Sequence, residues 1–179
     1  MPVNAGVDES RFASLVRKLT NLQLIICELV LGTLAVCISV DALLRWSVNW
    51  SILVVDELGG YALVCLAFFG FSVALHEKAP FRVDAFYDWL SPTNRARYQL
   101  VFDTLALAFM VLLLWHFWGL VTRSHAKEIS ALTILRTPIW IPQLLMVVGA
   151  FSTSLVLIAH IINDCKMLFK TDRKEALNG

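Results

Sequence analysis

The chain has 179 residues, 58% of them hydrophobic and 16% charged, with a mean hydropathy of +0.70. Its formal net charge is +1 and it has no basic block, which leaves no footing for a nucleic-acid surface. Four long apolar runs fill about half of the sequence, and the segments between them are too short for a soluble domain with its own core.

The first run, Leu22–Leu44, follows a polar N-terminal tail over 1–18. A bilayer core is about 30 Å thick and a helix rises about 1.5 Å per residue, so about 17–25 apolar residues suffice to cross it. Lipid offers no water to backbone amides, so such a run must be helical. It exceeds the usual apolar length of a secretory signal, about 7–15 residues. Val36 is also a poor residue before Cys37 for lipoprotein cleavage, so the run is expected to remain as a transmembrane helix. Within it, Glu28, Gly32, Ala35, Ser39 and Ala42 share one stripe, all small except Glu28. Small residues permit close helix approach, and a polar group among them bonds a neighbouring helix. Glu28 lies about 9 Å past Leu22 along the axis. Intramembrane carboxylates are costly and often functional, so proton carriage by Glu28 stands as the alternative to packing.

The second run, Leu58–Leu75, is expected to belong to a helix beginning near residue 53. Asp56 and Glu57 stand at its start, with Tyr61 and Gly70 further along. Between the second and third runs, Val83, Phe86, Tyr87 and Leu90 recur at helical spacing opposite Asp84 and Asp88. This predicts a short amphipathic helix over 81–90, lying at the lipid headgroups or packed on the bundle ends. Ser91-Pro92 reads as an N-cap followed by proline at the first helical position, so the third helix starts near Pro92 and enters the membrane for the span 100–121. Thr137-Pro138 reads in the same way for the fourth span, 139–162, with Pro142 expected to loosen its entry. A tail is expected at 166–179, charged and frayed from Lys170 onward.

Four spans put both termini on one side. That side holds Arg11, Arg17, Lys18, Lys78, Arg82, Arg95, Arg97, Lys166, Lys170, Arg173 and Lys174, whereas the other holds Arg45, Arg123, Lys127 and Arg136. Cytoplasmic loops carry the Lys and Arg excess, so both termini are expected in the cytoplasm. Trp46, Trp50, Trp115, Trp118 and Trp140 then fall at the outer interface, where indole rings prefer to sit. The expected fold is an all-α membrane protein of four transmembrane helices plus one interfacial helix, forming a single domain over 1–179.

No catalytic constellation is visible: no nucleophile beside a base, no glycine-rich phosphate loop and no enclosed carboxylate pair. The chain is not expected to be an enzyme. Cys27, Cys37, Cys65 and Cys165 have no metal-ligand spacing, and no cofactor or metal is expected. His116 and His160 raise a haem cytochrome as a third class. Their depths differ by about 20 Å by helical rise, too far for one iron to bond both at about 2 Å. No span is broken in mid-membrane by Gly and Pro, as solute sites of transporters often require. An accessory role is favoured.

The stretch Asp56-Glu57-Leu58-Gly59-Gly60-Tyr61 through Phe68-Phe69-Gly70 resembles the second helix of the small membrane subunit (DctQ-like) of tripartite ATP-independent periplasmic (TRAP) transporters. Phe81-Arg82-Val83-Asp84 keeps the end of a motif that follows it in that family, with Trp89 in the same link. Ser130-Ala131-Leu132-Thr133-Ile134 and Pro138-Ile139-Trp140-Ile141-Pro142 match the motif before the fourth helix. Cys65 and Pro80-Phe81 depart from the pattern, where tryptophan and histidine are usual. The resemblance implies a scaffold subunit of a sodium-driven uptake system for a carboxylate-type solute in the bacterial inner membrane. Its implied partners are a large elevator-type membrane subunit and a periplasmic solute-binding protein, and sodium and substrate residues are implied to lie in other chains. A self-sufficient proton-coupled exporter using Glu28 is the alternative.

Overall fold

The computed structural model describes residues 5–77, 92–131, 133 and 135–178. Four helices follow in order: α1 (Ala5–Val48), α2 (Leu53–His76), α3 (Pro92–Ala126) and α4 (Trp140–Asn178). No strand occurs among the described residues, and all four helices contain a segment long and apolar enough to cross a membrane. The expected amphipathic helix over 81–90 lies outside the described residues.

The helices are longer than the apolar runs within them. α1 reaches back through residues expected as a tail, and α4 continues through the expected tail to Asn178, including the part from Lys170 where fraying was expected. The physical reason is composition: Lys170, Arg173, Lys174, Glu175, Ala176 and Leu177 are good helix formers. The fourth helix begins at Trp140 rather than at Pro138, because Pro138 is taken up in a one-residue β-bridge with Ser130. Pro142 falls in the first turn, where backbone N–H groups have no helical acceptor, so its missing donor costs little. The Pro138 carbonyl is taken instead by Ile141 N–H at 3.1 Å.

α4 is the centre of the bundle. It packs most extensively on α3 and also on α2 and α1, while α1 and α2 form an antiparallel pair. Correspondingly, 39% of the apolar segment of α4 is buried in the chain, against 0% for α3. The buried face of α4 is built from small and branched residues, Gly149, Ala150, Ser152, Thr153, Ser154, Val156 and Leu157. At Gly149 the two parallel helices α2 and α4 touch through their backbones: an added Cβ would stand 2.5 Å from Phe68 Cβ and 3.0 Å from its carbonyl carbon. Phe68 also meets Phe117 of α3 edge to face, with ring centroids 5.4 Å apart. In a membrane, where lipid tails are as apolar as the helices, such close packing is a main source of association.

The turns are made without glycine. Asn49 takes the left-handed conformation (φ 53°) where α1 ends, as asparagine tolerates. After α3, Glu128 does the same at φ 49°, with Ile129 N–H bonded back to Ser124 O at 3.1 Å. The outer link then folds on itself. Ala131 N–H donates to Thr137 O at 2.9 Å and Ile139 N–H to Ile129 O at 3.1 Å, with Arg136 at φ 48° at the tip.

Candidate functional site

The residues singled out in the sequence fall into separate places. Glu28, Gly32, Ala35, Ser39 and Ala42 are all exposed on α1. With successive residues about 100° apart, this stripe is turned about 120° from the seam of Val16, Thr20, Gln23 and Asp41 that α1 buries in the bundle. An added Cβ on Gly32 would meet nothing within 4 Å, and the Ser39 hydroxyl donates back to Ala35 O at 2.7 Å. The stripe therefore lies on an exposed face of α1, with Ala42 beside Val55 and Asp56 of α2. Gly70, on α2, is half-buried and likewise meets nothing within 4 Å.

A second group gathers at the far end of the bundle. The Tyr61 hydroxyl donates to Glu57 Oε1 at 2.8 Å, one turn apart on α2. Thr133, Leu135 and Thr137 lie near the same carboxylate. Glu57 thus stands where the start of α2 meets the link between α3 and α4. Ser130 and Pro138 close that link through their β-bridge, and half-buried Trp140 packs edge to face on His125 at 5.4 Å. Five of the singled-out residues, Glu57, Tyr61, Ser130, Pro138 and Trp140, therefore belong to one clasp. Arg82, Asp84 and Trp89 lie outside the described residues, as do Leu132 and Ile134 of the motif before the fourth helix.

The histidines have ordinary surroundings. His116 Nδ1 lies 2.9 Å from Leu112 O on an exposed face of α3, and His160 Nδ1 is 4.0 Å from Asp103 Oδ2. The latter contact joins α4 to α3.

Other polar joints were not singled out from the sequence. Asp41 is 6% exposed and holds the α1–α2 turn. Its Oδ1 accepts from Ile52 N–H at 2.6 Å and from the Ser51 hydroxyl at 3.3 Å, while Arg45 donates to Oδ2. Gln23 crosses from α1 to α4, donating to Ser152 Oγ at 2.8 Å. The signal for Asp41 was its spacing: an acid one turn before Arg45 and just ahead of a turn. The signal at Gly149 was the run of small residues that follows it.

The arrangement is a set of inter-helix joints with an unused small-residue stripe, and comparison with known proteins assigns it. Residues 34–167 match the family described as tripartite ATP-independent periplasmic transporters, DctQ component. The chain belongs to the DctQ family. It is also similar to a Haemophilus influenzae protein provisionally named a TRAP transporter small permease protein, 22% identical over 152 residues that span 84% of this chain and 91% of that one. DctQ proteins are components of transporters rather than enzymes. The four spanning-capable helices and the family together make this a multi-pass membrane protein of a transport system, the small TRAP subunit.

Proposed function

We propose that this DctQ chain is a static scaffold in a sodium-driven transporter that takes up a carboxylate-type solute. In this reading it sits in the bacterial inner membrane with both termini cytoplasmic. It binds the large elevator-type membrane subunit and widens the fixed part against which the moving part slides. A periplasmic binding protein delivers the solute. The observation that carries the reading is the outward stripe of Glu28, Gly32, Ala35 and Ser39, which is exposed along α1, with open space around Gly32. A carboxylate on such a face is costly in lipid and is stabilised by a polar partner on another helix.

The orientation rests on the Lys and Arg asymmetry and on exposed Trp46, Trp50, Trp115 and Trp118 near one set of helix ends. The Glu57 clasp lies at that same end and suits contacts with the outer surface of the large subunit or with the binding protein.

The test is reconstitution. Solute uptake into liposomes under a sodium gradient is expected only with the large subunit, this chain and the binding protein together. Gly32→Leu is expected to reduce co-purification of the two membrane subunits. Transport by this chain alone, abolished by Glu28→Gln, would overturn the reading in favour of a proton-coupled exporter.

A further inference from the structure

Three helices bring polar atoms to one level of the bundle. Gln23 of α1 is 2% exposed and donates from Nε2 to Ser152 Oγ of α4. Ser152 in turn donates to Val148 O at 2.9 Å. Ser72 of α2 is 0% exposed. Its level follows from two independent registers. In the antiparallel pair α1–α2, Leu34 meets Gly59 and Asp41 bonds Ile52, so Ser72 stands level with Asn21. That is about 3 Å along the axis from Gln23 at a rise of 1.5 Å per residue. In the parallel pair α2–α4, Phe68 meets Gly149, so Ser72 stands level with Thr153, the residue after Ser152. Side chains lean toward their own helix N-terminus. On antiparallel helices this tilts Gln23 and Ser72 toward each other and closes the axial offset.

At this junction two buried atoms, Gln23 Oε1 and Ser72 Oγ, have no hydrogen-bond partner. Three other buried bundle hydroxyls behave differently. Thr20, Thr153 and Ser154 each turn back to the carbonyl four residues earlier, at 3.1, 2.9 and 2.8 Å. The corresponding carbonyl for Ser72 is that of Phe68, whose oxygen lies against Gly149, 3.1 Å from the position of an added Cβ. The close helix contact covers the acceptor that Ser72 would otherwise use. A buried amide oxygen without a donor is costly, and neighbouring lipid supplies none.

We propose that a single ordered water occupies the α1–α2–α4 junction, donating to Gln23 Oε1 and bonding Ser72 Oγ. Buried waters in proteins make about three hydrogen bonds to such otherwise unmet groups. The groups here are uncharged and include both an acceptor and a hydroxyl, which suits a neutral ligand able to donate and accept. A cation would lack a counter-charge among them.

The experiment is a structure of the assembled transporter at a resolution that shows ordered water. A peak is expected within about 2.7–3.2 Å of both Gln23 Oε1 and Ser72 Oγ. In the Ser72→Ala variant the peak is expected to be lost, with the Phe68–Gly149 contact unchanged. A water-selective NMR measurement on the labelled protein gives a second readout: transfer from water to the Gln23 side-chain amide is expected and should be lost in Ser72→Ala. A direct Gln23–Ser72 bond, Ser72 turned back onto Phe68 O, a coordinated cation, or a junction without a peak would each overturn the proposal.

Discussion

Gly32 and Gly149 look alike in the sequence, each sitting in an apolar helix with small residues one turn away. In the structure they have opposite surroundings. Gly149 is the point where α4 presses its backbone onto Phe68 of α2, whereas Gly32 faces away from every described element. A small-residue stripe therefore marks a close approach without saying whether the approaching helix belongs to the same chain. In this DctQ protein one stripe builds the bundle. The other stays exposed on α1.

The comparison is broken most directly at Gly149. Gly149→Ala places a methyl 2.5 Å from Phe68 Cβ and 3.0 Å from its carbonyl carbon, and main-chain atoms cannot rotate out of the way. A loss of about 1–3 kcal/mol is expected, read as a lower melting temperature of the purified chain, and Gly149→Leu should prevent stable folding. Phe68→Ala is not expected to rescue Gly149→Ala, because the clash is with Phe68 Cβ and backbone. If Gly149→Ala melted like the parent protein, the close approach of α2 and α4 would be refuted.

Next comes the α1–α2 turn. Asp41→Ala removes the acceptor for Ile52 N–H and the Ser51 hydroxyl and leaves Arg45 without its carboxylate. Cysteine cross-linking between the two helix ends should become less efficient, while Asp56→Ala, an exposed position nearby, should leave it unchanged. A smaller effect belongs to Ser152→Ala, which strips Gln23 Nε2 of its acceptor. About 0.5–1.5 kcal/mol is expected for the lost bond, measured by unfolding in mixed micelles.

The smallest effect on the chain itself is expected at Gly32. Gly32→Leu should shift its own stability by no more than about 0.5 kcal/mol, as for an exposed site, yet reduce the amount of large subunit retained in a pull-down. This separation of the two readouts sharpens the contrast with Gly149. A substitution at Gly32 that destabilised the isolated chain would place the stripe inside the bundle instead.

Much of this was legible in the sequence because lipid imposes a simple rule of length and polarity. The four spans follow from runs such as Leu100–Val121, and Pro92 marks the first residue of α3. The loops were less legible. Left-handed turns are normally announced by glycine, but here Glu128 and Arg136 adopt them, held by the β-bridge of Ser130 with Pro138. That same bridge delays the start of α4 to Trp140. Depth arguments also have a blind side. Rise per residue carries no information about the direction a side chain faces. Asp41 proves to be inward and structural, while Glu28, deeper in its run, faces out. Glu57 and Tyr61 were noticed through a family pattern. Their bond is local to one turn of α2, but the nearness of Glu57 to Thr133 and Thr137 depends on how a distant loop folds back.

The central place of α4 has a consequence for how the protein is made. Ribosomes deliver the N-terminal part first, so α1 and α2 can pair through Asp41 as soon as both have emerged. α3, whose principal neighbour is α4, must then wait in the bilayer for the last quarter of the chain. Only when Gly149 arrives is Phe68 seated and the third helix gathered in. A nascent chain interrupted after Ala126 would hold three greasy segments and no keystone, a form for membrane proteases to clear.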